Sequence, residues 1–213
     1  MKKLAAVLAA MLAFSMLVCS FAFAATSLMP LPTGIDPAHL EKTACYARIH
    51  GYNQAENTLT VELIAMEYFD RQALADLQVG DSIHTGGEEV RIEEITPTDW
   101  CDTLVFNDGN LFFFGDRDGY YRMSTEDEYF WNSVAVIECP VTEDLLLLDD
   151  IDDNSGEEFA LPRVLTAGEL TEKMLAEQAS DAYHIGFAAE NVYVAFDGEG
   201  RLAIIHRYYV PWQ

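Results

Sequence analysis

Two neighbouring segments, residues 45–52 and 58–65, alternate between small or apolar positions and polar or amphipathic ones. A period of two predicts half-buried β-strands, and the polar residues 53–57 between them predict a turn. A five-residue loop gives a single register in which the apolar faces match and the polar faces match, as an antiparallel hairpin requires. That register pairs Ala47 with Leu63, Arg48 with Glu62, Ile49 with Val61, His50 with Thr60, and Tyr52 with Thr58.

Shorter alternating or apolar runs separated by turn residues predict further strands along the middle of the chain. The segment 107–110 contains Asp-Gly, which suits a tight turn with positive φ, and it separates two of these runs. Repeated strand–turn–strand phrases of this kind are typical of small β-barrels. The predicted strands are 77–83, 90–95, 103–106, 111–114, 120–123, 133–139, 145–149 and 157–161.

One helix is predicted from a capping box. Thr166 and Glu169 have the spacing at which the hydroxyl and the carboxylate each accept a hydrogen bond from the other residue's exposed backbone N–H. An apolar stripe of Ala167, Leu170 and Met174, with Leu175 beside it, follows at helical spacing, so the helix is expected to run to about residue 179. A shorter helix is predicted after residue 70, with the aspartate there as its cap.

The C-terminal part predicts another hairpin, with strands 191–196 and 201–210 around the turn 197–200. Pairing Phe196 with Arg201 places Tyr193 opposite Ile204. Both faces of this hairpin are apolar, so we expect cover on both sides, with the capped helix on one of them. The predicted fold class is therefore α+β and mostly β. It combines a barrel-like antiparallel sheet over 42–143 with a C-terminal α+β part over 144–213 that shares its core.

The N-terminus has the pattern of a cleavable secretory signal. Lys2 and Lys3 precede an apolar stretch that is too short to span a bilayer, and Ala22-Phe-Ala24 is a small-x-small cleavage pattern. A lipoprotein anchored at Cys19 is the alternative, which the bulky Leu17-Val18 before the cysteine disfavours. The pattern predicts a signal peptide over 1–24, a proline-containing linker over 25–41, and a secreted or cell-surface protein.

The chain is strongly acidic, with 36 acidic and 12 basic residues and a formal net charge of −24. Loss of the signal's two lysines would make the charge more negative still. Such a charge repels phosphate backbones and anionic lipid surfaces, so it disfavours nucleic-acid binding and membrane binding after signal cleavage. It favours solubility, cations and basic partners.

The exported part would keep three cysteines, Cys45, Cys101 and Cys139, so at most one internal disulfide can form. The sequence does not indicate which pair that would be. Small buried thiols are the simplest interpretation.

No motif nominates a catalytic, cofactor-binding or metal-ligating residue. Asp150, Asp152 and Asn154 have the alternating spacing of a calcium loop, but the glycine comes one residue late and Leu161 stands where a closing glutamate belongs. A solvated turn is the preferred interpretation. The five histidines show no metal-ligand spacing, and nucleophile-elbow and metalloprotease motifs are absent from the sequence. The histidines are His39, His50, His84, His184 and His206.

Aromatic residues are dense at 112–114, 120–121, 129–131 and 208–212. They predict either core filling, which is the commoner use, or a platform on a sheet that stacks on sugars or anchors a protein. The sequence therefore predicts a secreted or surface-associated, non-catalytic binding protein with a protein or carbohydrate partner. The alternatives are an extracellular hydrolase with a dispersed site and a calcium-stabilised extracellular protein. A flat aromatic patch would favour the binding protein, whereas a pocket with converging histidines and acids would favour the hydrolase.

Overall fold

The computed structural model describes residues 25–98, 102–116, 119–124, 131–152, 155–178 and 186–209. Within them, strands dominate and two short α-helices complete the fold, so the predicted mostly-β α+β class is confirmed. The helices are α1 (Arg71–Ala75) and α2 (Ala167–Gln178). The strands are β1 (Ser27–Leu28), β2 (Ala44–Asn53), β3 (Thr58–Met66), β4 (Tyr68–Asp70), β5 (Ser82–Thr85), β6 (Glu88–Arg91), β7 (Ile95–Thr96), β8 (Thr103–Phe106), β9 (Leu111–Gly115), β10 (Tyr120–Ser124), β11 (Trp131–Pro140), β12 (Leu146–Ile151), β13 (Glu158–Leu165), β14 (Val192–Phe196) and β15 (Leu202–Arg207).

The largest sheet has seven strands in the order β11-β3-β2-β14-β15-β12-β13. All its pairings are antiparallel except that of β12 with β15, which is parallel. Helix α2 packs against one face of this sheet and closes the main hydrophobic core. The core takes side chains from both halves of the chain, among them Ile49, Leu63, Leu147, Leu170 and Val194.

The segment between β3 and β11 forms two smaller sheets, of order β4-β10-β9-β8-β7 and β1-β5-β6, and β1 from the start of the described chain is the edge strand of the second. They enclose a second core in which Phe69 and Phe106 pack edge-on against Phe113, and Leu74 of α1 is also buried. Asp70 caps α1 as predicted, its carboxylate accepting a hydrogen bond from the Ala73 N–H at 2.8 Å.

The expected barrel-like closure of residues 42–143 is wrong, because none of the sheets formed by the described strands closes into a barrel. The strands of that segment are divided among three open sheets. To close a barrel, β2 would have to pair on both sides with strands from residues 42–143. One of its edges instead pairs with β14 from the C-terminal hairpin. Strands from 42–143 and from 144–213 therefore lie in one sheet, while the boundary between the two parts stays a prediction.

The first hairpin has the predicted register over most of its length. Arg48 pairs with Glu62, Ile49 with Val61, and Ala47 with Leu63. Beyond Ile49 a bulge at His50 shifts the pairing by one residue, so Thr60 lies opposite Gly51 rather than the histidine. The bulge shortens the turn to residues 54–57.

The register predicted for the C-terminal hairpin is wrong by two residues. Tyr193 pairs with His206, not with Ile204, because a wider turn pairs Phe196 with Leu202 and the ladder then shifts by one more residue between Ala195 and Phe196. The Asp197 carboxylate accepts hydrogen bonds from the backbone N–H groups of residues 199 and 201, which builds a wider turn than the prediction assumed. A shift of two leaves every side chain on its predicted face.

Helix α2 begins with the predicted capping box. The Glu169 N–H donates to the Thr166 hydroxyl at 3.2 Å, and the Thr166 N–H donates to the Glu169 carboxylate at 2.8 Å. Leu170 and Met174 are buried as predicted, whereas Leu175 is 38% exposed on the solvent side. Among the described residues, neither helix is long and apolar enough to cross a membrane. The predicted signal, residues 1–24, lies outside the described part.

Candidate functional site

Helix α2 covers only one side of the seven-stranded sheet, and the other side, here called the outer face, carries an unusual set of side chains. Alternation along β2 sends Cys45, Ala47 and Ile49 into the core and leaves Tyr46 and Arg48 on the outer face. The same alternation along the other strands brings one residue from each of six strands into a row that crosses the sheet. This cross-sheet row consists of Tyr46, Tyr193, His206, Leu148 and Val164, which lie opposite one another in register, and of Trp131. Trp131 lies opposite Met66, two residues along β3 from buried Ile64, and reaches Tyr46 diagonally through its ring.

The rings of the row touch in sequence. Tyr46 lies 4.7 Å from Trp131 and 5.5 Å from Tyr193 between ring centroids, with interplanar angles of 52° and 82°. Tyr208, just beyond β15, packs edge-on against Tyr193 at 6.3 Å and contacts the His206 ring at 3.9 Å. Edge-to-face packing of this kind adds attraction beyond simple burial. The rings pack against one another with their planes inclined, so together they do not form a flat platform.

Aliphatic residues continue the row to the β13 edge of the sheet. Val164 is 62% exposed and Leu146 of β12 is 40% exposed, while Tyr46 in the aromatic part is 39% exposed. With strands about 4.8 Å apart, seven strands span about 29 Å, and six residues along a strand add about 20 Å. The outer face thus offers roughly 600 Å², close to the ~800 Å² that one partner gives to an ordinary protein interface.

Two histidine–carboxylate pairs lie on the outer face. In one, His206 Nε2 lies 3.0 Å from Asp150 Oδ2, and both side chains are mostly buried. In the other, His50 Nε2 lies 2.6 Å from Glu62 Oε2. The two histidines are two strands and four residues apart, a separation of about 16 Å, so the pairs cannot act on one bond of a small substrate.

The second pair belongs to a satisfied charge cluster. Arg48 bridges Glu62 and Glu190, which neutralises its charge. Burial alone would raise the pKa of Glu62, but hydrogen bonds from Ser133 and His50 and the charge of Arg48 outweigh it and hold that pKa below its usual value. Ser133 bonds to the carboxylate and not to the histidine, which is not the nucleophile–base order of a catalytic triad.

A third charge cluster lies on the core side of the sheet. Arg207 donates to Asp149 through Nε and Nη2 at 2.8 and 2.9 Å, and Lys173 of α2 donates to the same carboxylate at 2.9 Å. The guanidinium also lies 4.6 Å from the Phe187 ring and 3.5 Å from a Glu177 oxygen. This cluster ties α2 and the segment after it to the sheet, and its place between packed elements makes it structural.

The calcium hypothesis placed ligands at Asp150, Asp152 and Asn154. The structure directs Asp149 to the core, where it pairs with Arg207, and Asp150 to the outer face, where it contacts His206. Asn154 lies outside the described residues. In the part of the chain that the structure describes, no group of three or more His, Cys, Asp or Glu side chains could hold a metal ion.

Cys45 and Cys139 are buried free thiols in the main core. They lie at opposite ends of the first hairpin, too far apart for a disulfide. Burial raises the pKa of each thiol to about 11. Cys101 lies outside the described residues.

The other residues singled out in the sequence are dispersed. His39 pairs with Asp36 on an exposed turn, and His84 lies in β5 of a small sheet. Phe113 and Tyr121 fill the second core, as the core interpretation of the aromatics predicts. Trp131 and Tyr208 instead belong to the outer face. His184, Asp118, Tyr129, Phe130 and Trp212 lie outside the described residues.

Sequence patterns contain no site signal for three residues of the outer face. Tyr46 and Tyr193 are single aromatics in alternating strands, and Asp150 is one acid among many. Only the pairing of β14 with both β2 and β15 places the two tyrosines side by side and next to His206. The chain is thus a mostly-β α+β protein with an aromatic and acidic sheet face. Comparison with protein-family models, with curated proteins and with solved structures finds no match for this chain.

Proposed function

We propose that this chain is an exported, non-catalytic binding protein whose outer face binds a protein partner. The observation that carries the proposal is the cross-sheet row, a band of touching aromatic and exposed aliphatic side chains about 29 Å long. Tyrosine and tryptophan dominate the energetics of protein interfaces, and contiguous exposed apolar surface is uncommon unless something binds it.

Within the two partner classes that the sequence left open, the geometry favours protein over carbohydrate. Sugar rings stack on exposed flat aromatic faces, whereas Tyr46 is tilted by 52° and 82° from its two aromatic neighbours. Leu146 and Val164 extend the surface with groups that cannot hydrogen-bond sugar hydroxyls. The net charge of −24 also opposes face-to-face association of two copies, so the partner is a different, less acidic protein.

The hydrolase alternative requires acid, base and nucleophile to converge. On the outer face the His206 and His50 pairs are about 16 Å apart, and each histidine is already engaged by a carboxylate. No specific observation therefore carries an enzymatic proposal.

The test is site-specific photo-cross-linking in the medium that surrounds the producing cells. Tyr46 and Val164 are replaced, one at a time, by p-benzoylphenylalanine. Leu175 on α2 is the matched control, because it has nearly the same exposure as Tyr46 but lies on the opposite side of the sheet. We expect one predominant protein adduct from both outer-face positions and none from the control. That protein, once purified, should bind the wild type and lose affinity for Tyr193→Ser. Equal labelling from all three positions, or no adduct, would refute the proposal.

Export is the second part of the proposal and has its own measurement. Mass spectrometry of the secreted protein should give an N-terminus at Ala25, because Ala22-Phe-Ala24 precedes it. An intact segment 1–24, or a lipid on Cys19, would contradict release by signal cleavage.

A further inference from the structure

Five side chains from β2, β14, β15, β12 and the residues just after β15 meet on the outer face: Tyr46, Tyr193, Tyr208, His206 and Asp150. We call them the tyrosine–aspartate cluster. The ring contacts at 5.5, 6.3 and 3.9 Å join the first four, and the 3.0 Å contact joins the fourth to the carboxylate. Burial raises the pKa of Tyr208, with further contributions from the other two tyrosines and the aspartate, which is consistent with their proximity.

The carboxylate of Asp150 is only half satisfied. Its Oδ2 contacts His206, but its Oδ1 is buried and has no hydrogen-bond partner among the described residues. Buried polar atoms almost always have a partner, and a charged acceptor left without one is especially costly. Because Oδ1 is closed to solvent, no group from outside can hydrogen-bond to it, but its negative charge still attracts a cation nearby.

The Arg48 cation on the same face does not compensate this charge, because it is already shared between Glu62 and Glu190. Asp150 therefore places a carboxylate with one unpaired oxygen beside the three tyrosine rings. The negative faces of aromatic rings attract cations, and tyrosine rings with a carboxylate are a common setting for ammonium and guanidinium groups.

We infer that the tyrosine–aspartate cluster receives a lysine or arginine side chain of the protein partner. The cation would lie against the tyrosine rings near the Asp150 carboxylate, while the aliphatic stem would lie along the row. The inference rests on the proposed function, since it supplies the central contact of the interface proposed above. It also gives the acidic charge of the chain a specific use, namely selection of basic partners.

The experiment is an NMR titration of the whole exported protein with three acetylated and amidated tripeptides, Ala-Lys-Ala, Ala-Arg-Ala and Ala-norleucine-Ala. We expect the two cationic peptides to shift the resonances of Tyr193 and His206, with at least tenfold weaker binding of the norleucine peptide. Asp150→Asn should weaken the cationic peptides by about tenfold. Glu199→Gln, an equal change of charge on the exposed β14–β15 turn, should leave them unchanged.

A second pair of variants separates the rings from the hydroxyls. Tyr193→Phe keeps the ring and should bind the cationic peptides like the wild type, whereas Tyr193→Leu should bind them several-fold more weakly. Preserved amide spectra in each variant show that the fold is retained.

Equal binding of the norleucine peptide, or unchanged binding by Asp150→Asn, would overturn the inference. Its failure is distinguishable from failure of the proposed function. A cross-linked partner without a response to the cationic peptides leaves the interface and removes the cation site. A response to the cationic peptides without any cross-linked partner supports the cation site and removes the proposed protein interface.

Discussion

Replacing Asp149 by asparagine removes one negative charge from the centre of the main core while keeping the size of the side chain. The carboxylate is 1% exposed and accepts two hydrogen bonds from the equally buried Arg207. Lys173 donates to it as well. An asparagine can accept through one oxygen only and carries no charge. The variant therefore removes a carboxylate at 2.8 Å from a buried guanidinium, which keeps Glu177 at 3.5 Å.

The expected cost follows from that burial. Removing one partner of a buried ion pair typically costs about 3–5 kcal/mol, because the other charge is left without compensation. In a protein of this size about 1 kcal/mol corresponds to roughly 3 °C in Tm, so Tm should fall by about 10 °C. The exposed control Glu199→Gln should cost no more than about 1 kcal/mol.

Urea unfolding followed by circular dichroism measures these differences, provided that the slopes stay equal. The double variant Asp149→Leu with Arg207→Met replaces the pair by apolar groups, and it should recover most of the stability lost by Asp149→Asn. A loss below about 1 kcal/mol for the single variant would refute the argument, because Arg207 would then have found water or another acceptor. A double variant as unstable as the single one would refute it as well.

The same residue gives the fold a pH dependence. Burial alone would raise the pKa of Asp149, but Arg207 and Lys173 more than compensate and hold it below the ordinary 3.8. A lowered folded pKa means that this stabilisation is fully present above the unfolded value and is lost as pH falls through the folded one. Asp149→Asn should therefore lose less stability than the wild type between pH 5 and the acid transition, and an unchanged acid limb would contradict the assignment.

Three further predictions concern the helix cap, the thiols and the charge. Thr166→Ala removes the hydroxyl that accepts from the Glu169 N–H, so urea unfolding should show a loss of about 1 kcal/mol, and an unchanged midpoint would contradict the cap. In a Cys101→Ser background, Cys45 and Cys139 should be unreactive to a thiol reagent at pH 8, because burial raises both pKa values to about 11. Both thiols should react fully in denaturant, and reaction of the native protein would refute their burial. Stability should rise as sodium chloride goes from about 0.01 to 0.15 M, where the Debye length falls from about 30 to 8 Å, and a flat response would mean that the acids are already well dispersed.

Local features were predictable because their causes lie within a few residues. The capping box at Thr166, the cap at Asp70 and the hairpin around 107–110 each depend on side-chain chemistry next to the element, and the structure contains all three. Pairing between Arg48 and Glu62 was predictable for the same reason, since a short loop joins their strands. The errors at His50 and Tyr193 come from bulges, which one extra residue creates and no hydrophobic pattern records.

The topology of the main sheet could not be predicted in this way. Insertion of the C-terminal hairpin between β2 and β12 joins residues nearly 150 positions apart, and alternation along each strand says only which face a side chain takes. The barrel prediction was wrong because it assumed that both strands paired with β2 come from residues close to it in sequence. The outer face was missed with it, since Tyr46 and Tyr193 become neighbours only through that insertion.

The same topology makes the proposed binding face a property of the completed fold. Tyr46 and Trp131 come from one part of the chain, and Tyr193, His206 and Asp150 come from the other, so the row exists only after β14 has paired with β2. Contacts this distant in sequence form late, because closing the long loop costs conformational entropy that only a largely formed core offsets. A destabilising core variant such as Asp149→Asn should therefore lower apparent affinity in proportion to the folded fraction. A variant in the tyrosine–aspartate cluster should instead weaken binding by the folded protein itself. Measuring the folded fraction of each variant together with its affinity distinguishes residues that contact the partner from residues that only stabilise the outer face.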